Sequence, residues 1–133
     1  MKIQLTSTAD ESQYIGMNER GQQILLSGNQ SAVSPMEAVL MAASACSTID
    51  VELLLKKMRQ DVSRVEVHTE GTRAEAVPAV FTSIHIHYRI FGNIREEKAV
   101  KAVAMSLEKY CSVSIMLSAT VAITHSVEVI TPS

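Results

Sequence analysis

At 133 residues, 47% hydrophobic and 20% charged, the chain has the size and composition of one folded domain with a full core, which excludes a disordered or fibrous polypeptide. A net charge of −2, with basic residues scattered apart from Lys56-Lys57-Met58-Arg59, removes the electrostatic case for a nucleic-acid partner. The segment Met1–Thr6 carries no secretory apolar run, so a cytoplasmic location is expected, where two cysteines do not form a permanent staple.

In chain order, residues 2–8 and 12–17 read as short strands. Asn18-Glu19-Arg20-Gly21 is a turn signal before Gln22–Ser27, which makes 12–27 a hairpin. A loop over Gly28–Ser31 follows, and then a helix with a sharp start. Ser34 caps it, Pro35 fits its first position and Glu37 completes an S-x-x-E capping box. The helix is expected to run to about Arg59, a span of roughly 37 Å. From Ala38 to Cys46 it is apolar or small on every face, so it must be enclosed, yet that run is too short to cross a bilayer. One chain of this length can hardly wrap such a helix unaided. A homodimer is therefore expected.

Two alternating strands come next. Val65, Val67 and Thr69 oppose Arg64, Glu66 and His68; Ile84, Ile86, Tyr88 and Ile90 oppose His85, His87 and Arg89. Pro78 belongs to their connection. Asn93 with Glu96 marks the start of a second helix, buried along Val100, Val103, Ala104 and Leu107. Ser112 is read as the cap of a short helix over 113–117, and Val121–Ile130 as the last strand. No repeat or composition shift divides the chain, so 1–133 is taken as a single α+β domain with largely antiparallel pairing.

The two cysteines carry the chemistry. Cys46 lies about three turns into the long helix, beyond the reach of its dipole, and core filling is the competing reading. Cys111 lies at a helix junction, where unpaired N–H groups favour a thiolate. Dipole reasoning alone therefore picks Cys111 as the nucleophile. His85-x-His87 offers half of a zinc site without an evident third ligand, so a solvated strand face is preferred and no metal is expected. His125, on an apolar face, reads as a hydrogen-bonded core or interface residue, and the seven methionines as filling for an irregular core.

Ser34-Pro35 through Cys46, together with Tyr110-Cys111-Ser112-Val113, resembles the OsmC/Ohr family of osmotically inducible and organic-hydroperoxide-resistance proteins, and is close to its short YhfA-like subgroup. The resemblance implies an OsmC-like fold, with antiparallel sheets packed around a long central helix in an intertwined homodimer and active sites at the subunit interface. It implies thiol-dependent reduction of organic hydroperoxides, with Cys46 attacking and Cys111 resolving, no cofactor, and an external dithiol as reductant. This ordering reverses the dipole ranking. The family's activating arginine comes from the N-terminal region, where Arg20 precedes the helix; Arg89 is the fallback cation. The family's supporting carboxylate follows the proline directly, whereas here Met36 holds that place and Glu37 comes next; Ser112 stands where many members have proline. These departures keep an alternative open: an OsmC-like protein that binds a small hydrophobic ligand or a partner at the dimer interface.

Overall fold

The computed structural model describes residues 1–132, which form two compact units, Met1–Val39 and Leu40 onward. In the first, β1 (Ile3–Ser7), β2 (Gln13–Asn18) and β3 (Gln23–Ser27) form an antiparallel meander in the order β1-β2-β3. The β2–β3 turn is built by Asn18, whose side-chain oxygen accepts from the Arg20 and Gln22 N–H groups at 3.1 and 2.9 Å, while Gly21 takes a φ of +82° that few other residues adopt.

Helix α1 (Pro35–Lys57) begins with the expected box: the Glu37 N–H donates to Ser34 Oγ at 3.1 Å and the Ser34 N–H to Glu37 Oε1 at 2.9 Å. It ends two residues short of the expected Arg59, in a Schellman motif. The Gln60 N–H reaches Leu55 O, the Arg59 N–H reaches Lys56 O, and Arg59 itself turns to a φ of +59°. No glycine marked this stop, so it was invisible to a reading that relies on one.

In the second unit, β4 (Asp61–Arg73), β5 (Phe81–Asn93) and β6 (Ala122–Ile130) form a sheet in the order β4-β5-β6. Both long strands extend well past the expected 64–69 and 84–90. Their alternation is as read: Ile84, Ile86, Tyr88 and Ile90 are fully buried, while His85, His87 and Arg89 occupy the other face. Two glycines permit this packing. A Cβ on Gly71 would lie 2.5 Å from the Phe81 ring and 3.1 Å from Leu40, and Gly92, at a φ of +146°, would drive one into the Asp61 carbonyl.

β6 runs parallel to β5, a departure from the expected antiparallel plan. The cause lies in the connection. Between the two strands come α2 (Glu96–Met105), a single wide π-type turn (Ser106–Tyr110) and α3 (Ser112–Leu117), a crossover long enough to return the chain to the end where β5 began. The caps also differ from expectation. Arg95, not Asn93, precedes α2, and its N–H is satisfied by Gln60 Oε1 at 2.8 Å. Cys111, not Ser112, caps α3.

Candidate active site

Along α1 the fully buried positions are Ala43, Ser47, Val51 and Leu55, an i, i+4 stripe with one serine in it. That serine meets β5. Ser47 Oγ and Tyr88 Oη are 2.6 Å apart, and because the Ser47 hydroxyl donates to Ser44 O at 3.1 Å, the Tyr88 hydroxyl is the donor between them. Burial pushes the Tyr88 phenol up to about 12, with proximity to Cys111 adding to it against the Ser47 bond, so the phenol stays protonated. One turn earlier, Ser44 Oγ lies 2.6 Å from Thr69 Oγ1 on β4. These bonds fasten this side of the helix to the sheet.

The π-type turn brings in the second thiol. The Cys111 N–H donates to Ser106 O at 2.7 Å, closing the wide turn, and Ser106 Oγ donates to Ser47 O at 2.8 Å. Cys111 is thereby pressed against α1, fully buried, its Sγ 4.0 Å from Ala43 O, one helical turn from Cys46. Cys111 Sγ accepts the Ser114 N–H at 3.4 Å and lies 3.2 Å from Ser114 Oγ.

Burial holds the Cys111 thiol above its ordinary range, and the neighbouring Cys46 side chain adds to this, against the two Ser114 bonds. The two cysteine side chains are therefore neighbours, both free, Cys46 half-buried and Cys111 closed off from solvent. Burial opposes the dipole expectation for Cys111. The helix that follows is only six residues long, and the thiol that caps it is itself desolvated.

Arg20 sits in the β2–β3 turn, exposed, with its Nε donating to Gln22 Oε1 at 3.1 Å. Glu37 serves the helix cap, and those bonds to Ser34, backbone first, hold its carboxyl below the usual range. Arg89, the fallback cation, lies on the His85/His87 face, as the alternation predicts. It neighbours Tyr88 and so points to the opposite face of the sheet, where it pairs with Glu128 at 3.1 Å and Glu66 at 3.4 Å and lies over the Phe91 ring.

On that same face Ser126 Oγ lies 2.9 Å from His85 Nε2 and 2.6 Å from His87 Nδ1, and His85 Nδ1 is 2.7 Å from Thr124 Oγ1. Among the described residues no group of three metal-ligating side chains converges. His125 lines a cleft of about 420 Å³ with Leu107, Ser114 and Ile115.

Residue reading missed Ser47, Tyr88 as a hydrogen-bond donor, Ser106 and Ser114. A signal was present for two of them. Ser47 interrupts an otherwise apolar stripe, and Ser114 stands three residues after the cap, where a cap's partner N–H is found.

A two-cysteine site carried by a long helix and a following helix junction, over a three-stranded sheet, places the chain among known proteins. It belongs to the OsmC-like family, whose model, described as OsmC-like protein, matches residues 28–126. It is 48% identical over 120 residues to Protein YhfA of Escherichia coli K12, covering 88% of this chain and 90% of that one. Among solved structures, a hypothetical protein from Aquifex aeolicus superposes with a TM-score of 0.90 at 30% identity, covering 99% of this chain and 97% of that one. An organic hydroperoxide resistance protein from Legionella pneumophila shares the fold alone, with a TM-score of 0.73 at 16% identity over 96% and 95% of the two chains.

Proposed function

We propose that the protein reduces organic hydroperoxides with Cys46 as the attacking thiol and Cys111 as the resolving one. The observation that carries this reading is the pairing itself: a half-buried cysteine on α1 neighbouring a fully buried one. Burial keeps Cys111 a neutral thiol near neutrality, so it does not compete for peroxide. Attack of the Cys46 thiolate on the distal peroxide oxygen breaks the O–O bond. The alkoxide leaves and takes a proton to become an alcohol, and Cys46 becomes a sulfenic acid. Cys111 then attacks that sulfur, its proton leaves with the hydroxyl as water, and a disulfide forms. An external dithiol supplies the two electrons that restore both thiols. No cofactor or metal enters the cycle. Relatives named for organic hydroperoxide resistance support the assignment of substrate class.

In the same reading the protein is a cytoplasmic homodimer. In its favour, Ile3, Leu5 and Ile24 on the meander are 72, 55 and 60% exposed, as are Met41, Ile49 and Leu53 on α1 at 56, 60 and 55%. Apolar surface of this extent calls for cover. By length and composition alone α1 would also span a bilayer. The serine bonds from α1 to β4 and β5 favour a helix committed to protein.

The test is steady turnover of an organic hydroperoxide with a dithiol reductant, which should be abolished in Cys46→Ser. A second reading, a non-enzymatic member that binds a hydrophobic ligand, is favoured by the groove of about 340 Å³ that Ile3, Leu5, Met17, Ile24 and Leu26 line, and by the engagement of Glu37 in its cap. Absence of turnover in the reduced wild-type protein, with ligand uptake intact, would select it.

A further inference from the structure

The same site dictates which sulfur the reductant attacks. Thiol–disulfide exchange needs an attacking thiolate in line with the S–S bond, and the sulfur at the far end must leave as a thiolate. Cys111 has no exposed surface, and its sulfur is packed by Ala43 O at 4.0 Å, Ser114 Oγ at 3.2 Å and the Ser114 N–H at 3.4 Å. Cys46 is half-buried and so the more accessible of the two residues.

We propose that the external dithiol attacks the Cys46 sulfur and that Cys111 leaves as a thiolate held by the N–H and hydroxyl of Ser114, which makes Ser114 a positioning residue for the reductive half of the cycle. The inference rests on the thiol-cycle reading, but only on its disulfide.

The step balances without further reagents. The reductant thiolate forms a bond to Cys46, the Cys46–Cys111 bond breaks, and its electron pair stays on Cys111. The Ser114 N–H already donates to this sulfur. The Ser114 hydroxyl, which accepts from the thiol in the reduced protein, turns to donate once the sulfur is charged. A donor to a charged acceptor is a strong hydrogen bond, and Ser114 holds both its N–H and its hydroxyl within reach of this sulfur. The second thiol of the reductant then attacks its own mixed disulfide, releasing Cys46 as thiolate and the reductant as a cyclic disulfide. Cys111 regains its proton from the medium.

The experiment separates this inference from the peroxidase reading by making the disulfide with diamide, a two-electron oxidant that needs no peroxidase activity. The oxidised full-length protein is mixed briefly with 2-mercaptoethanol, quenched with acid and an alkylating reagent, and mapped by mass spectrometry. Mercaptoethanol on Cys46 and the alkyl group on Cys111 is the expected result; the opposite labelling overturns the proposal. In Ser114→Ala, reduction of the disulfide by dithiothreitol should slow by about tenfold or more at every pH. Ser114→Thr, which keeps both donors, should restore the rate. Reduction of folded Ser114→Ala at the wild-type rate would remove Ser114 from the step, whatever the outcome of peroxide turnover. Should either variant fail to fold, the labelling of the wild-type protein still decides the regiochemistry.

Discussion

Ser47 and Tyr88 join α1 to β5 by a 2.6 Å hydrogen bond inside the core, and the same phenol feels the Cys111 thiol. The bond ties the helix that carries Cys46 to the centre of the sheet. It also makes the core sensitive to alkali. The Tyr88 phenol titrates near 12 in the folded chain against 10.0 for a free phenol, and Cys111 shifts in the same direction. Both folded values are raised, so the stability they contribute is complete below the unfolded values and is lost as pH rises through the folded ones. Denaturant midpoints at fixed protein concentration should therefore fall steeply between about pH 10 and 12, where the Tyr88 phenol is free to ionise in the unfolded chain and held protonated in the folded one. Tyr88→Phe should flatten that fall while costing about 1 kcal/mol at neutral pH, because the buried Ser47 oxygen loses its donor. An unchanged alkaline slope in the variant would show that Tyr88 plays no part in it.

The capping box at Ser34 and Glu37 gives a prediction at the other end of the pH scale. The Glu37 carboxyl is held low by its bonds to Ser34, so its contribution is present above the ordinary value of 4.5 and is lost as pH falls through the lower, folded one. Ser34→Ala should lower stability by about 1 kcal/mol near neutrality. Urea denaturation at pH 7 and pH 3 should find the difference between wild type and variant smaller at the lower pH.

Much of this architecture was legible in the sequence because its signals are local. The Ser34-Pro35-Glu37 box, the two-residue alternation of Ile84–Ile90 and the turn at Asn18–Gly21 each specify their element without help from elsewhere. What was not legible depends on distant contacts. The parallel pairing of β6 follows from where the crossover ends. The burial of Cys111 follows from Ser106 reaching Ser47, and its role as a cap from the position of Ser114. The burial that opposes the dipole at Cys111 was equally out of sight, since desolvation is a property of the packed core and not of the helix junction. Arg89, by contrast, was legible: the alternation put it on the face opposite Tyr88, where it is found.

The exposed apolar side chains of α1 and of the β1–β3 meander lead to a prediction about assembly. An obligate dimer should bury more than about 2,000 Å² in total. Light scattering at micromolar concentration should give twice the mass of the 14.5 kDa chain. Met41→Lys together with Leu53→Lys should shift the population toward monomer with loss of stability. A folded wild-type monomer would overturn the assembly.

A peroxide-attacking thiolate inside apolar surroundings needs a cation, and Arg20 is the one the family resemblance indicates. Arg20→Ala should slow oxidation of Cys46 by at least about tenfold, equivalent to roughly 1.4 kcal/mol in the barrier, with folding intact. Its exposed position in the β2–β3 turn makes the substitution structurally mild. Stopped-flow oxidation at the wild-type rate would reduce Arg20 to a solvated turn residue.

The central claim, that Cys46 is the thiol that attacks peroxide, is tested most directly in Cys111→Ser, where the cycle stops after its first step. One equivalent of cumene hydroperoxide should yield one equivalent of the alcohol and a sulfenic acid on Cys46, trapped by dimedone and located by mass spectrometry. Peroxide left unconsumed, with Cys46 still a free thiol in the folded variant, would contradict the account.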